Sequence, residues 1–198
     1  MKTVNKNIWT VKVISFFNNE KQLIKKCIEG NHEAQRRLYE QHSPRMLSVC
    51  RQYLKHIEKA EEAMCDGFLK IFENIESYRH EGSFEGWMRR IMVRTSIDHL
   101  RRESKLEFVD TQHPVEPAYN PNQNDLEVEH IQQLIDNLPE GYRAVFVLYA
   151  IEGYKHAEIA DMLNISENTS KSQLFKARKM LQQKLEDANL YRNGTDKI

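Results

Sequence analysis

Glycine and proline are scarce in this chain of 198 residues, which contains seven glycines and five prolines. An all-β protein of this size uses these residues to turn about every eight to twelve positions, so the composition excludes that class. The sequence also lacks any apolar run near the roughly 18 residues that a membrane-spanning helix needs. We therefore expect a mainly helical, cytoplasmic protein that does not insert into a membrane.

Cysteine and histidine are present without the spacing of a metal site. Cys27, Cys50 and Cys65 form no CxxC pair, and none of the eight histidines lies in an HExxH motif. An odd number of separated cysteines fits neither a disulfide framework nor structural zinc. We expect reduced thiols, no metal site and no cofactor.

Charge is balanced overall but unevenly distributed along the chain. Lys plus Arg and Asp plus Glu each number 29, yet residues 106–138 contain seven acidic residues and no Lys or Arg. Residues 89–105 carry six basic and two acidic residues, and residues 168–184 carry five basic and no acidic ones. Two basic segments separated by an acidic one favour a nucleic-acid partner.

A domain boundary is visible where the apolar periodicity stops. Residues 106–125 contain Pro114, Pro117 and Pro121 among acidic and Asn residues, a composition typical of an extended linker. The predicted organisation is an N-terminal extension (1–19), a helical domain (20–105), a flexible acidic linker (106–125), a second helical domain (126–190) and a tail (191–198).

Caps and apolar stripes predict the helices of the first domain. Asn31 is a typical N-cap for a helix to Gln41, and Ser43 followed by Pro44 predicts a new helix over 45–55. Met64, Phe68, Ile71, Phe72 and Ile75 share one side of a helix over 58–75, opposite Glu62, Asp66, Lys70 and Glu73. After a loop at 76–82, Ser83 precedes a last helix in which Trp87 is more readily explained as a core residue than as a base-stacking platform.

The second domain has the pattern of a helix-turn-helix. Pro139 separates two helices, the second of which covers 142–151 and ends at Gly153. A short helix over 154–163, the turn Asn164-Ile165 and the N-cap Ser166 follow. In the last helix the predicted inward residues are Ser170, Leu174, Ala177, Leu181 and Leu185. The predicted outward residues are Thr169, Ser172, Gln173, Lys176 and Lys179, flanked by Lys171, Phe175 and Arg178.

Short segments in both domains have sequences typical of a known protein family. The second domain contains LPEGYR (138–143), Phe146, IEGY (151–154), EIA (158–160) and ISENTSKS (165–172). These resemble region four of the extracytoplasmic-function (ECF) RNA polymerase sigma factors. The first domain contains AEE (60–62), FLKIF (68–72), WMRRI (87–91) and IDHLRR (97–102), which resemble region two of the same family. The resemblance implies an all-α protein of two domains, a transcription initiation factor and not an enzyme.

The resemblance also assigns partners and site residues. Core RNA polymerase would bind the charged face of the helix over 58–75, through Glu62, Asp66, Leu69, Lys70 and Glu73. The promoter -10 element would contact Tyr78, Trp87, Arg89, Arg90, Arg94, Arg101 and Arg102. The -35 element would contact Thr169, Lys171, Ser172, Gln173, Phe175, Lys176, Arg178 and Lys179. An anti-sigma factor, membrane-anchored in many such systems, is implied as a further partner, and the acidic linker is implied to enter the RNA channel of the polymerase.

Two alternatives remain open from the residues alone. The first is a helix-turn-helix regulator whose N-terminal domain binds a ligand or another protein, which association with core polymerase would distinguish. The second is a metal-dependent nuclease that uses Glu61, Glu62 and Asp66 as ligands. No histidine or further carboxylate is placed by the sequence to complete such a site.

Overall fold

The helices of the first domain follow one another with short connections. The computed structural model describes residues 20–103 and 126–194, so the predicted extension, the linker and residues 195–198 lie outside the described part of the chain. The first domain contains α1 (Glu20–Ile28), α2 (His32–Arg51), α3 (Ile57–Asn74), a 3-10 turn (Ile75–Ser77) and α4 (Phe84–Glu103). Helices α2, α3 and α4 pack against one another, and α1 packs against α2.

One predicted helix boundary, in α2, is wrong. Pro44 lies inside a continuous helix and does not start a new one, whereas the predicted N-cap is confirmed, since the Asn31 side chain accepts from the Ala34 amide at 2.9 Å. A proline in a helix removes one backbone hydrogen bond and disfavours the helix there. Leu38 and His42 before it and Met46 after it lie on the same buried face, so packing on both sides of Pro44 keeps the helix intact.

The predicted apolar stripe of α3 is confirmed and faces its neighbours. Met64, Phe68 and Ile71 are buried, while Phe72 packs at the edge of the core. Gly67 lies on the same stripe where α3 approaches α4, and a Cβ built at this glycine would overlap the side chain of Met92. The missing side chain therefore lets the two helices come close, so their exposed faces lie side by side.

The second domain is also helical throughout its described part. It contains α5 (Leu126–Asp136), α6 (Glu140–Phe146), a π-helical turn (Val147–Ile151), α7 (His156–Leu163) and α8 (Glu167–Gly194). Gly153, with φ of 78°, ends the predicted helix over 142–151, of which the last turn is π-helical. Helix α8 packs on α6 and α7, with Leu148, Ile159 and Leu174 in the core.

The two helical domains touch each other in this structure. Helix α4 packs against α7, and the Arg143 side chain of the second domain donates to the Tyr53 carbonyl of the first at 2.9 Å. The residues that the structure describes form helices and no strand, which confirms the all-α prediction. Within the same residues, no helix is long and apolar enough to cross a bilayer.

The three thiols differ in burial, which generates a prediction about reactivity. Cys27 and Cys50 are buried and Cys65 is exposed, and burial raises the pKa of both buried thiols to about 11. The thiolate is the reactive form, so near pH 8 we expect an alkylating reagent to modify Cys65 alone. Intact-mass spectrometry should show one adduct on the native chain and three in denaturant. Rapid labelling of Cys50 in the native chain would contradict the packing of α2 described here.

Candidate nucleic-acid interface

A tight turn holds the two helices of the helix-turn-helix. Helix α7 ends at Asn164, which has φ of 54° and ψ of 49°, and the Ile165 amide donates to the Ala160 carbonyl at 3.0 Å. Asparagine tolerates this left-handed conformation better than most side chains. Ser166 then caps α8, because its hydroxyl oxygen accepts from the Thr169 amide at 3.0 Å. The predicted turn and N-cap are confirmed, and they set the angle at which α8 leaves α7.

The side of α8 that faces solvent is cationic with an aromatic side chain at its centre. The exposed residues of its first four turns are Glu167, Asn168, Lys171, Ser172, Phe175, Arg178 and Lys179. Phe175 is 68% exposed, an unusual position for a large apolar side chain on a protein surface. Since the long donors surround this ring, the face combines phosphate-binding groups with an apolar contact for a base.

The side of α8 that faces solvent is rotated from the predicted one, which changes the position of several residues. Gln173 was predicted to face outward but is 7% exposed, and that prediction is wrong. At 100° per residue, Gln173 lies about 70° from the centre of the buried stripe of Ser170, Leu174 and Ala177, whereas Phe175 lies about 130° from it. Leu185, predicted to face inward, is exposed. The solvent-facing centre therefore lies near Phe175, and Thr169 and Lys176 lie half-buried at its edge.

Aromatic side chains that the sequence analysis missed support this helix. The Tyr149 ring stacks on the His156 ring with centroids 4.7 Å apart, and His156 Nδ1 lies 2.9 Å from Ser170 Oγ. The Arg178 guanidinium lies over the Tyr149 ring at 5.5 Å, within cation–π range. Near the start of α8, the Lys171 ammonium pairs with Glu167 at 2.7 Å and keeps the pKa of that carboxyl below its usual value. No local sequence signal predicts the Tyr149 and His156 contacts, because they join three separate helical segments.

Helix α4 carries the second basic surface. Arg90, Arg94, Arg101 and Arg102 are exposed, whereas Arg89 forms a pair with Glu152 of the second domain. The Trp87 ring is partly buried and stacks on Phe84 with centroids 5.5 Å apart. The predicted core position of Trp87 is confirmed in part, since one side of the ring packs and the rest reaches the surface.

Tyr78 does not lie at this surface. Its side chain is 8% exposed, and its hydroxyl donates to the Gly82 carbonyl at 2.7 Å across the loop that leads to α4. Its ring also packs on Phe84 and Trp87. The prediction that Tyr78 is available to a base is corrected: in this structure Tyr78 holds the loop and orients Trp87.

The exposed face of α3 forms a third surface next to α4. Glu62, Leu69 and Glu73 are exposed, and Leu69 is 61% exposed although it is aliphatic. Asp66 Oδ2 lies 2.8 Å from His99 Nε2, and Lys70 lies 3.5 Å from the Asp98 carboxylate. The charged residues nearest to α4 are thus held by α4 itself, which leaves Leu69 as an apolar group on a charged surface.

These carboxylates do not assemble into a metal site. Among the side chains that the structure describes, those of residues 20–102 and 131–186, no group of three or more His, Cys, Asp or Glu could hold an ion together. Asp66, one of the three ligands considered for a nuclease, lies against His99 and Arg102. The arrangement provides charged surfaces suited to binding.

A helical domain with charged faces joined to a helix-turn-helix with an exposed cationic face defines a DNA-binding protein, and comparisons with known proteins identify its family. Residues 38–106 match the family model described as Sigma-70 region 2, and residues 129–181 match Sigma-70 region 4. The two regions together cover more than half of the chain. The chain therefore belongs to the sigma-70 family of RNA polymerase sigma factors, and its relatives place it in the ECF type.

The chain is similar to several named proteins at low sequence identity. The chain is 28% identical over 151 residues to the ECF RNA polymerase sigma factor SigE of Mycolicibacterium smegmatis, a match that covers 73% of this chain and 58% of that protein. It is 26% identical over 181 residues to ECF RNA polymerase sigma factor SigW of Bacillus subtilis, covering 84% and 97%. Among solved structures, CnrH in complex with the cytosolic domain of CnrY is similar with a TM-score of 0.47 at 20% identity, covering 84% of this chain and 97% of that one.

Substitutions at two neighbouring residues of α8 should affect folding and duplex binding separately. Leu174→Ala removes a buried side chain and should lower the free energy of unfolding by about 2 to 5 kcal/mol. Phe175→Ala removes an exposed one and should leave stability within about 0.5 kcal/mol while weakening duplex binding. Urea unfolding followed by circular dichroism and a duplex-binding titration measure the two effects. A destabilised Phe175→Ala beside a stable Leu174→Ala would show that the two faces of α8 are reversed.

Proposed function

We propose that this ECF sigma factor brings core RNA polymerase to specific promoters and helps to open the DNA there, using one surface on each of α3, α4 and α8. The observation that carries the proposal is the exposed cationic face of α8, which lies in the region matched by the region 4 model. We place its action in the cytoplasm and assign it no catalytic step, since a specificity subunit acts by binding.

Helix α8 is the proposed reader of the -35 element. The N-terminal half of a recognition helix meets base edges in the major groove. Its exposed face supplies Lys171, Ser172, Phe175, Arg178 and Lys179, to which the structure adds Asn168. Thr169 and Lys176 lie at the edge of this face, where they fit backbone contacts better than base contacts. Gln173 is omitted because its side chain is buried.

Helix α4 is the proposed -10 surface. Arg89, Arg90, Arg94, Arg101 and Arg102 supply guanidinium groups for phosphates along one helix. Bases that leave the duplex are held by stacking on aromatic rings, and the partly exposed Trp87 is the ring available on this surface. Tyr78 packs against the Trp87 ring and is not proposed as a DNA contact.

The exposed face of α3 is the proposed polymerase surface. Leu69 provides an apolar anchor, and Glu62 and Glu73 provide charges around it, the usual arrangement of an anchor within a polar rim. Asp66 and Lys70 are oriented by their contacts with α4, so they reach the same partner from fixed positions. By its family, we also propose an anti-sigma factor, membrane-anchored or not, as a partner that covers these surfaces.

Binding to core polymerase distinguishes the proposed sigma function from the alternative of a ligand-sensing regulator. Replacing the exposed anchor, Leu69→Gln, should weaken binding of the purified protein to core polymerase by about tenfold, a loss typical of a central interface residue. Ile28→Gln, a partly exposed aliphatic residue on α1, is the matched control and should have little effect. Fluorescence anisotropy of labelled protein titrated with core polymerase measures both. If wild type does not bind core polymerase at all, the sigma function is wrong.

The proposed contact between Phe175 and the -35 element can be tested by changing a base. An exposed aromatic ring among donors suits the C5-methyl group of thymine, the apolar feature of the major groove. Replacing thymine by uracil in a bound -35 duplex should weaken wild-type binding by about 1 kcal/mol at one position and leave Phe175→Ala binding unchanged. Lys179→Ala, which removes a neighbouring charge, should remain sensitive to the uracil. Equal losses in wild type and Phe175→Ala would refute a role for this ring in reading thymine.

A further inference from the structure

One exposed cation of α8, Arg178, lies against an aromatic ring from another part of the second domain. Its guanidinium carbon lies over the Tyr149 ring, 5.5 Å from the centroid. The face of an aromatic ring carries partial negative charge and attracts a cation within about 6 Å. Tyr149 is partly buried against the hydrophobic core, whereas Arg178 is exposed. A partly buried ring thus holds a charge that faces solvent.

The Tyr149 ring is itself held by contacts that lead into the core. Tyr149 lies in the π-helical turn and stacks on His156, the first residue of α7, with centroids 4.7 Å apart and an angle of 24° between the rings. His156 Nδ1 lies 2.9 Å from Ser170 Oγ, and Ser170 is 0% exposed on the buried stripe of α8. Because an aromatic side chain has only two χ angles, these contacts leave the Tyr149 ring little freedom to move.

The kind of contact determines what Arg178 can still bind. A carboxylate partner accepts hydrogen bonds from a cation, as Glu167 does for the Lys171 ammonium at 2.7 Å. A ring face instead attracts the positive charge as a whole, so the planar guanidinium can still donate two parallel hydrogen bonds to a phosphate. Tyr149 therefore restricts the position of Arg178 without competing for its hydrogen bonds.

The place of Arg178 along α8 favours a backbone phosphate over a base edge. It lies eleven residues after Glu167, the first residue of the helix, at a distance of about 16 Å. Recognition helices meet base edges through their N-terminal residues, and phosphate contacts fix the position of a protein on the duplex. A side chain that is held before binding loses less conformational freedom when it binds. Contact with Tyr149 thus prepares Arg178 for a phosphate.

We propose that Tyr149 is a positioning residue for DNA binding, which holds Arg178 in place to donate to a backbone phosphate of the -35 duplex. The inference rests on the proposed function of α8 and adds to it a residue that lies outside that helix. The effect of Tyr149 passes through Arg178. Removal of the ring should therefore weaken duplex binding only while Arg178 is present.

Side-chain dynamics test the positioning in the full-length protein without DNA. Tyr149→Leu removes the ring but keeps an apolar side chain, and Tyr149→Phe removes only the hydroxyl. The order parameter of the Arg178 Nε–H bond, measured by ¹⁵N relaxation, should fall in Tyr149→Leu and keep its wild-type value in Tyr149→Phe. Circular dichroism checks that both variants are folded, and Tyr149→Met replaces Tyr149→Leu if that variant is not. Equal order parameters in all variants would overturn the positioning role.

Duplex binding tests what the positioning does. The probe is a fluorescent duplex of about 20 base pairs that the wild-type protein selects from a random pool. Tyr149→Leu should weaken binding about two- to fivefold, the effect of a cation–π contact at an exposed site, and leave the salt dependence unchanged because the phosphate contact still forms. Arg178→Ala removes that contact, so its slope of log affinity against log salt should be shallower by about 0.9. Tyr149→Phe should bind like wild type.

Combined substitutions show whether the effect passes through Arg178. Adding Tyr149→Leu to Arg178→Ala should cause no further loss of affinity, whereas adding it to Lys179→Ala, the matched neighbouring charge, should cause the same two- to fivefold loss as in wild type. Equal losses in both backgrounds, or a Tyr149→Phe variant as weak as Tyr149→Leu, would refute the proposal. A wild-type protein that selects no duplex would refute the proposed function of α8 and with it the DNA role of Tyr149. The relaxation measurement needs no DNA and still reports separately whether the ring holds Arg178.

Discussion

The burial of one side of α8 against α6 and α7 is the constraint on which the proposed DNA surface depends. When an amphipathic helix packs, the direction of its apolar stripe determines how the helix is rotated about its own axis. Ser170, Leu174 and Ala177 are buried, which turns Phe175 outward. The cap by Ser166 and the left-handed Asn164 then place the start of this helix relative to α7. The direction of the proposed base-reading surface thus follows from the packing of residues on the opposite side of the helix.

Most of the fold could be predicted because its signals are local. The Asn31 and Ser166 caps, the turn at Asn164 and the stripe of α3 depend on residues within a few positions of one another. Pro44 was misleading because its local preference for a helix start is outweighed by contacts on both sides of it, which come from other helices. The long polar side chain of Gln173 suggests a solvent-facing position, but its helical angle places it next to the buried stripe.

The candidate site was less predictable than the fold wherever it depends on contacts between distant segments. Arg89 and Glu152 are separated by 63 positions, and the pair of Arg143 with the Tyr53 carbonyl spans 90. Composition and periodicity describe Arg89, Glu152 and Arg143 as ordinary charged residues and Tyr53 as an ordinary aromatic one. Tyr78 illustrates the same limit, since an aromatic residue in a loop beside a basic helix suggests a base contact until its hydroxyl is seen to bind the loop itself.

The π-helical turn at Val147–Ile151 gives the domain contact a dependence on backbone register. The Glu152 amide donates to the Val147 carbonyl at 3.0 Å, a bond that spans five positions and accommodates one residue more than an α-helical turn. A π-helical turn absorbs one extra residue, so the positions on either side of it keep nearly the register of a continuous α-helix. If the same residues took α-helical spacing instead, Glu152 would turn by most of one residue's rotation, which is about 100°. The wide turn thus sets the direction in which Glu152 leaves the helix, and its pair with Arg89 depends on that direction.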